Sequence, residues 1–153
     1  MQTILLYTDG GARGNPGPAG AGWVIYDGDP STGSTGSSQA GSGRLLAKSR
    51  KFLGEHRTNN WAEYEAVVLA LQEVKKRGLA GRPIEVRMDS ELIQRQLTNE
   101  YQIKEETLWP QYMKVHNLVV AHFPDATFVH ISREMNMEAD RLVNEAIDEN
   151  TNN

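Results

Sequence analysis

Apolar positions along the chain form short continuous runs near the N-terminus and helical stripes from the middle onward. Residues 2–8 (QTILLYT) are β-rich and continuously apolar rather than alternating, which predicts a central strand buried on both faces. Residues 20–26 (GAGWVIY) predict a second strand, and a third lies within 44–55. Across 61–77 (WAEYEAVVLALQEVKKR), Val67, Leu71 and Val74 share one face and Gly78 supplies the stop, so this segment predicts an amphipathic helix. Residues 84–88 (IEVRM) alternate as a fourth strand. A short helix over 90–98 and a longer one over 105–122 follow. Residues 127–132 (TFVHIS) predict a fifth strand, and 136–148 the last helix.

The predicted order is βββαβααβα, without an internal repeat. Antiparallel hairpins followed by β-α-β crossovers imply an α/β fold: a five-stranded mixed sheet with helices on both faces. The tract DGDPSTGSTGSSQAGSG, residues 27–43, has almost nothing to bury and reads as a mobile hairpin tip or disordered loop. It falls inside a hairpin and so marks no domain boundary. A chain of 153 residues suits one core, and we read 1–150 as a single domain with 151–153 as a tail.

Composition narrows the function classes. Hydrophobic content of 39% with 24% charged residues is that of an ordinary globular protein. The chain has no cysteine, which excludes disulfides and thiolate metal sites and points to a cytoplasmic setting. No apolar run approaches the ~20 residues that span a bilayer. The first residues read as a strand rather than a signal peptide. The net charge of -4 weighs at first sight against a nucleic-acid partner, since such domains are usually basic.

Four acids change that picture, although each has an ordinary explanation. Asp9 stands in LYTDGGARGNPG, at the end of the first predicted strand, and could simply start a turn. Glu63 lies three residues after Asn60, the spacing of a capping box. Asp89 ends the fourth strand and could cap the next helix. Asp140 falls in the first turn of the last helix, where the dipole favours acids. Their joint placement says more. Asp9 and Asp89 end strands that the topology makes parallel neighbours, while Glu63 and Asp140 begin helices that can pack on the same sheet. Such rims are where α/β sheets build their sites.

Carboxylates that converge this way repel. Two unit charges ~4 Å apart cost about 4 kcal/mol at an effective dielectric of 20. The cluster therefore needs cations, and an all-oxygen donor set suits Mg²⁺ or Mn²⁺. Two such ions would support displacement at phosphorus. They would also offset four negative charges, the whole net charge of the chain.

Together these stretches resemble the type 1 ribonuclease H family over nearly the whole chain. YTDGGARGNPGPAGAGWVI is similar to the first hairpin of that family, and RTNNWAEYEAVVLAL to its TNN-x-x-E helix start. RMDSELIQRQL resembles its second aspartate motif, and HISREMNMEADRLVNEA its N-x-x-x-D motif. The resemblance implies a ribonuclease H-like fold and hydrolysis of the RNA strand of RNA–DNA hybrids to 5′-phosphate and 3′-hydroxyl ends. It implies two metal ions held by Asp9, Glu63, Asp89 and Asp140. Asn15, Asn59 and Asn60 match residues that touch the minor groove and help read RNA 2′-hydroxyls, Gly10 and Gly11 match the turn where backbone approaches the RNA strand, and Thr58 matches a residue that binds a DNA-strand phosphate.

Two features depart from the pattern. The connection HISREMNMEAD replaces a longer loop that carries an auxiliary histidine; His130 reads as a strand residue, and Arg133 is the candidate stand-in. A basic protrusion is missing: in TNEYQIKEETLWPQYMKV the bases are Lys104 and Lys114. The pattern is that of a compact archaeal and bacterial branch, some members of which also attack double-stranded RNA. Nothing in the sequence demands more than a monomer. The rival readings are a catalytically silent nucleic-acid-binding module of the same fold and a metal-free two-carboxylate hydrolase.

Overall fold

The computed structural model describes residues 2–30 and 43–151. Among these, β1 (Ile4–Ala12), β2 (Gly17–Asp27), β3 (Arg44–Arg57), α1 (Asn59–Lys76), β4 (Ile84–Met88), α2 (Glu91–Leu97), α3 (Trp109–His122), β5 (Ala126–His130) and α4 (Met137–Thr151) follow in turn. This is the element order the hydrophobic pattern predicts. Residues 31–42, most of the Gly/Ser/Thr tract, lie outside the described residues.

The strands form one sheet in the order β3-β2-β1-β4-β5. β1 pairs antiparallel with β2, and β2 with β3. β1, β4 and β5 run parallel, as their helical crossovers require. The sheet is therefore mixed, with β1 at its centre.

The two faces of β1 and β2 carry different helices. Ile4 and Leu6 join Val67, Leu71 and Val74 of α1 in the main core, with Ile93, Leu97, Leu108 and Val115 completing it. Each fully buried aliphatic side chain there contributes about 2 kcal/mol. α4 lies on the opposite face and buries Leu142, Val143, Ala146 and Ile147. Glycines permit both approaches. A Cβ on Gly10 would stand 2.2 Å from the Ala62 carbonyl oxygen of α1, and one on Gly22 would stand 2.5 Å from that of Ala139 in α4. Gly10 pairs with Ala21, and Gly22 with Asp9, so strand alternation turns the two glycines to opposite faces.

Several boundaries differ from expectation. β1 continues four residues past Thr8, because Gly10–Ala12 still pair with β2. β3 runs to Arg57. The segment predicted as helix over 105–122 begins with a 3-10 turn, Glu106–Leu108, and becomes α-helical at Trp109, with Pro110 in its first turn. β5 stops at His130, which confirms His130 as a strand residue, and a second 3-10 turn, Arg133–Asn136, leads into α4.

Candidate active site

The β1–β4 ladder ends at the pair Thr8–Met88, so Asp9 and Asp89 are the next residues on parallel neighbours. Such strands stand ~4.8 Å apart, which brings the two carboxylates together by construction. Asp9 does not start a turn, since its strand continues through Ala12. Asp89 does not cap α2: that role falls to Ser90, whose hydroxyl accepts the Ile93 N–H at 3.3 Å.

Glu63 has also been released from capping. The N-cap of α1 is Thr58 rather than Asn60, and its hydroxyl accepts the Trp61 N–H at 3.2 Å. The expected capping box is therefore not made, and Glu63 falls in the second turn. The close approach at Gly10 sets that turn directly against β1. Three of the four acids thus have no local structural duty, and each turns toward the same point.

Asp9, Glu63 and Asp89 each present a carboxylate oxygen, and these oxygens all lie within 4.8 Å of one another. Asp140, in the first turn of α4, is exposed on the open side of the group and near enough to raise the Asp9 pKa. Burial, followed by the charges of Asp89 and Asp140, pushes the Asp9 pKa up to about 8. Glu63 is held well above its ordinary value by desolvation, then by Asp9 and Asp89, while a hydrogen bond with the Gly10 backbone pulls the other way. Glu63 and Asp9 therefore hold their protons more tightly than free carboxyls do. Carboxyls perturbed in this way are characteristic of functional sites. A set of close carboxylate oxygens with no softer donor fits a hard divalent cation.

The acids floor a cleft of about 380 Å³, whose walls include Gly10, Gly11, Arg13, Asn59, Arg133 and Asn144. The first turn is tied to α1 there: Ala12 N–H donates to Asn59 Oδ1 at 2.7 Å, and Asn59 N–H donates to Asn15 Oδ1 at 3.0 Å. Asn15, Thr58 and Asn60 stand outside the cleft wall. Asn15 is linked to it through Asn59, while the Asn60 amide donates to Glu105 at 3.2 Å.

One polar residue of the site escaped sequence reasoning. Asn136 is 1% exposed, and its Nδ2 donates to the Thr8 carbonyl at 2.9 Å and to Asp89 Oδ2 at 3.4 Å. It pins the end of the β1–β4 ladder to the turn that precedes Asp140. It is the asparagine of the N-x-x-x-D stretch that ends at Asp140, but that motif says nothing of what the side chain touches.

A family model described as reverse transcriptase-like matches residues 7–146. The chain is 35% identical over 146 residues to a ribonuclease HI of Halobacterium salinarum, covering 95% of this chain and 65% of that protein. It is 34% identical over 145 residues to the bifunctional protein Rv2228c of Mycobacterium tuberculosis, covering 95% of this chain and 35% of that one. The chain therefore spans from about a third to two thirds of these curated relatives. Among solved structures, LC11-RNase H1, isolated from compost and crystallised with an RNA/DNA hybrid, is 45% identical, with a TM-score of 0.82 over 97% of this chain and 99% of that one.

Proposed function

This chain belongs to the type 1 ribonuclease H family, and from that premise we propose that it is a metal-dependent endonuclease that cleaves the RNA strand of RNA–DNA hybrids to 5′-phosphate and 3′-hydroxyl ends. The observation that carries the proposal is the convergence of Asp9, Glu63 and Asp89, with oxygens within 4.8 Å and two of the three carboxyls pushed upward. A silent binding module would hold a polyanion better without these charges.

Asp9, Glu63, Asp89 and Asp140 are the residues that would hold two Mg²⁺ or Mn²⁺ ions, which when bound supply charge neutralisation and an activated water at phosphorus. The chain's own groups orient the substrate. Asn15 and Asn59 use their amide oxygens within the protein, which leaves each NH₂ to donate to a 2′-hydroxyl. Gly11 keeps the strand edge bare, so backbone can approach the sugar. Gly10 contributes by admitting α1; beyond the cleft wall, Asn60 is a further amide for the minor groove and Thr58 the group for a DNA-strand phosphate. Arg133, at the cleft margin, is the auxiliary group in place of a histidine.

Among the described residues no helix is long and apolar enough to cross a membrane. The reading is of a single cytoplasmic domain acting as a monomer on nucleic acid, with double-stranded RNA as a second substrate class that presents the same 2′-hydroxyls. The test is cleavage of labelled RNA–DNA hybrid, RNA duplex and DNA duplex across a Mg²⁺ and Mn²⁺ titration. Nicking of RNA within the hybrid, with DNA duplex untouched, is expected. Cleavage of DNA duplex at a comparable rate would overturn the substrate assignment.

A further inference from the structure

Arg13 occupies the turn between β1 and β2 and lines the cleft that holds the acids. Its guanidinium reaches across to α4, where it donates to Asp148 through one nitrogen and to Asn144 Oδ1 at 3.0 Å through the other. Asn144 in turn donates through Nδ2 to the Asp140 main-chain oxygen at 3.0 Å. The fork is thereby held about one helical turn from an acid of the site, on the cleft's open side.

A purely structural explanation for this contact is weak. Arg13 and Asp148 are 44% and 48% exposed, so water screens the pair and it stabilises the fold little. α4 is already fastened by Leu142, Val143, Ala146 and Ile147 on the sheet. A guanidinium fork matches carboxylate and phosphate by the same paired geometry. Exchange of one for the other in a half-exposed pair costs little.

We propose, resting on the ribonuclease H reading above, that Arg13 is a substrate-binding residue. It takes a backbone phosphate of the strand lying in the cleft, beside the cleaved linkage and not at it. Asp148 is the carboxylate that occupies the fork until that phosphate arrives, and Asn144 keeps the guanidinium aimed at the cleft in both states. Arg13 and Asp148 therefore act on binding in opposite directions. A simple strut between the turn and α4 would make their loss act in the same direction.

The experiment uses an Asp9→Asn background so that the hybrid stays intact, and measures the Kd of a fluorescent RNA–DNA hybrid by anisotropy between 50 and 200 mM salt. Adding Arg13→Ala is expected to weaken binding roughly fivefold and to lower the salt slope by about 0.7–0.9, the share of one phosphate contact. Arg13→Lys is expected to keep most of the slope, because it keeps the charge. Asp148→Asn is expected to tighten binding roughly twofold with the slope retained. Unchanged Kd and slope in Arg13→Ala would overturn the inference and leave the ribonuclease H reading intact. Equal weakening by Arg13→Ala and Asp148→Asn would make the pair a strut and overturn it too. Failure of the background protein to bind hybrid at all would remove the reading and this inference together.

Discussion

At the scale of the residue, the site is a set of acids deprived of their ordinary work. Thr58 and Ser90 take the capping roles, β1 runs on past Asp9, and Glu63, Asp89 and Asp9 are left to face each other. Their repulsion has a testable sign. The Asp9 carboxyl titrates near 4 in an unfolded chain but is pushed up to about 8 in the fold, chiefly by burial. A group raised in this way contributes stability that is fully present below pH ~4 and is lost as pH rises through ~8. In metal-free buffer the wild-type melting temperature should therefore fall across that window. Asp9→Asn should melt close to wild type near pH 4 and several degrees higher near pH 8, at ~2–4 °C per kcal/mol for a domain of this size. Saturating Mg²⁺ should shrink the difference, because the ions relieve the same repulsion. A constant difference from pH 4 to 9, read by calorimetry, would show that Asp9 carries no such strain. The choice of acids was legible in the sequence because motif spacing survives without coordinates. The role of Asn136 was not, since a buried amide that bridges Thr8 and Asp89 is set by packing between segments far apart in the chain.

At the scale of the element, the site depends on how closely two helices can press on the sheet. α1 brings Glu63 to Asp9 only because Gly10 leaves room for the Ala62 carbonyl, and α4 brings Asp140 by the same device at Gly22. Gly10→Ala would place its Cβ 2.2 Å from a backbone oxygen, with backbone on both sides and no flexible tip to yield. We expect a loss of about 3 kcal/mol in urea unfolding. Cleavage by the fraction that stays folded should also be far below wild type, because the displaced turn carries Glu63. Gly22→Ala should cost a similar amount while displacing Asp140 instead. Full activity in folded Gly10→Ala would show that the α1 approach does not set the site. Element order was legible from apolar periodicity, a property of each segment alone, and the mixed sheet from the hairpin and crossover connections between them. Boundaries were less so: Gly10–Ala12 is too small to signal a strand, yet β2 supplies the ladder that keeps it extended.

At the scale of the whole molecule, net charge is a poor guide and charge placement a good one. Many surface bases are paired with the protein's own acids: Lys48 with Glu138, Arg50 with Glu145 and Glu149, and Arg141 with Glu138 and Glu145. Little unpaired positive field is left on that side to attract a polyanion, so affinity for hybrid should be modest and governed by metal at the acids. The most direct test is the rate of RNA-strand cleavage in a labelled hybrid by wild type and by Asp89→Asn, each with Mg²⁺ and with EDTA. Rapid cleavage by wild type in Mg²⁺ alone is predicted, with loss of at least ~10³-fold in the variant or with chelator, the scale of removing a group that acts on the transition state. Cleavage that survives EDTA, or that persists in Asp89→Asn near the wild-type rate, would contradict the account.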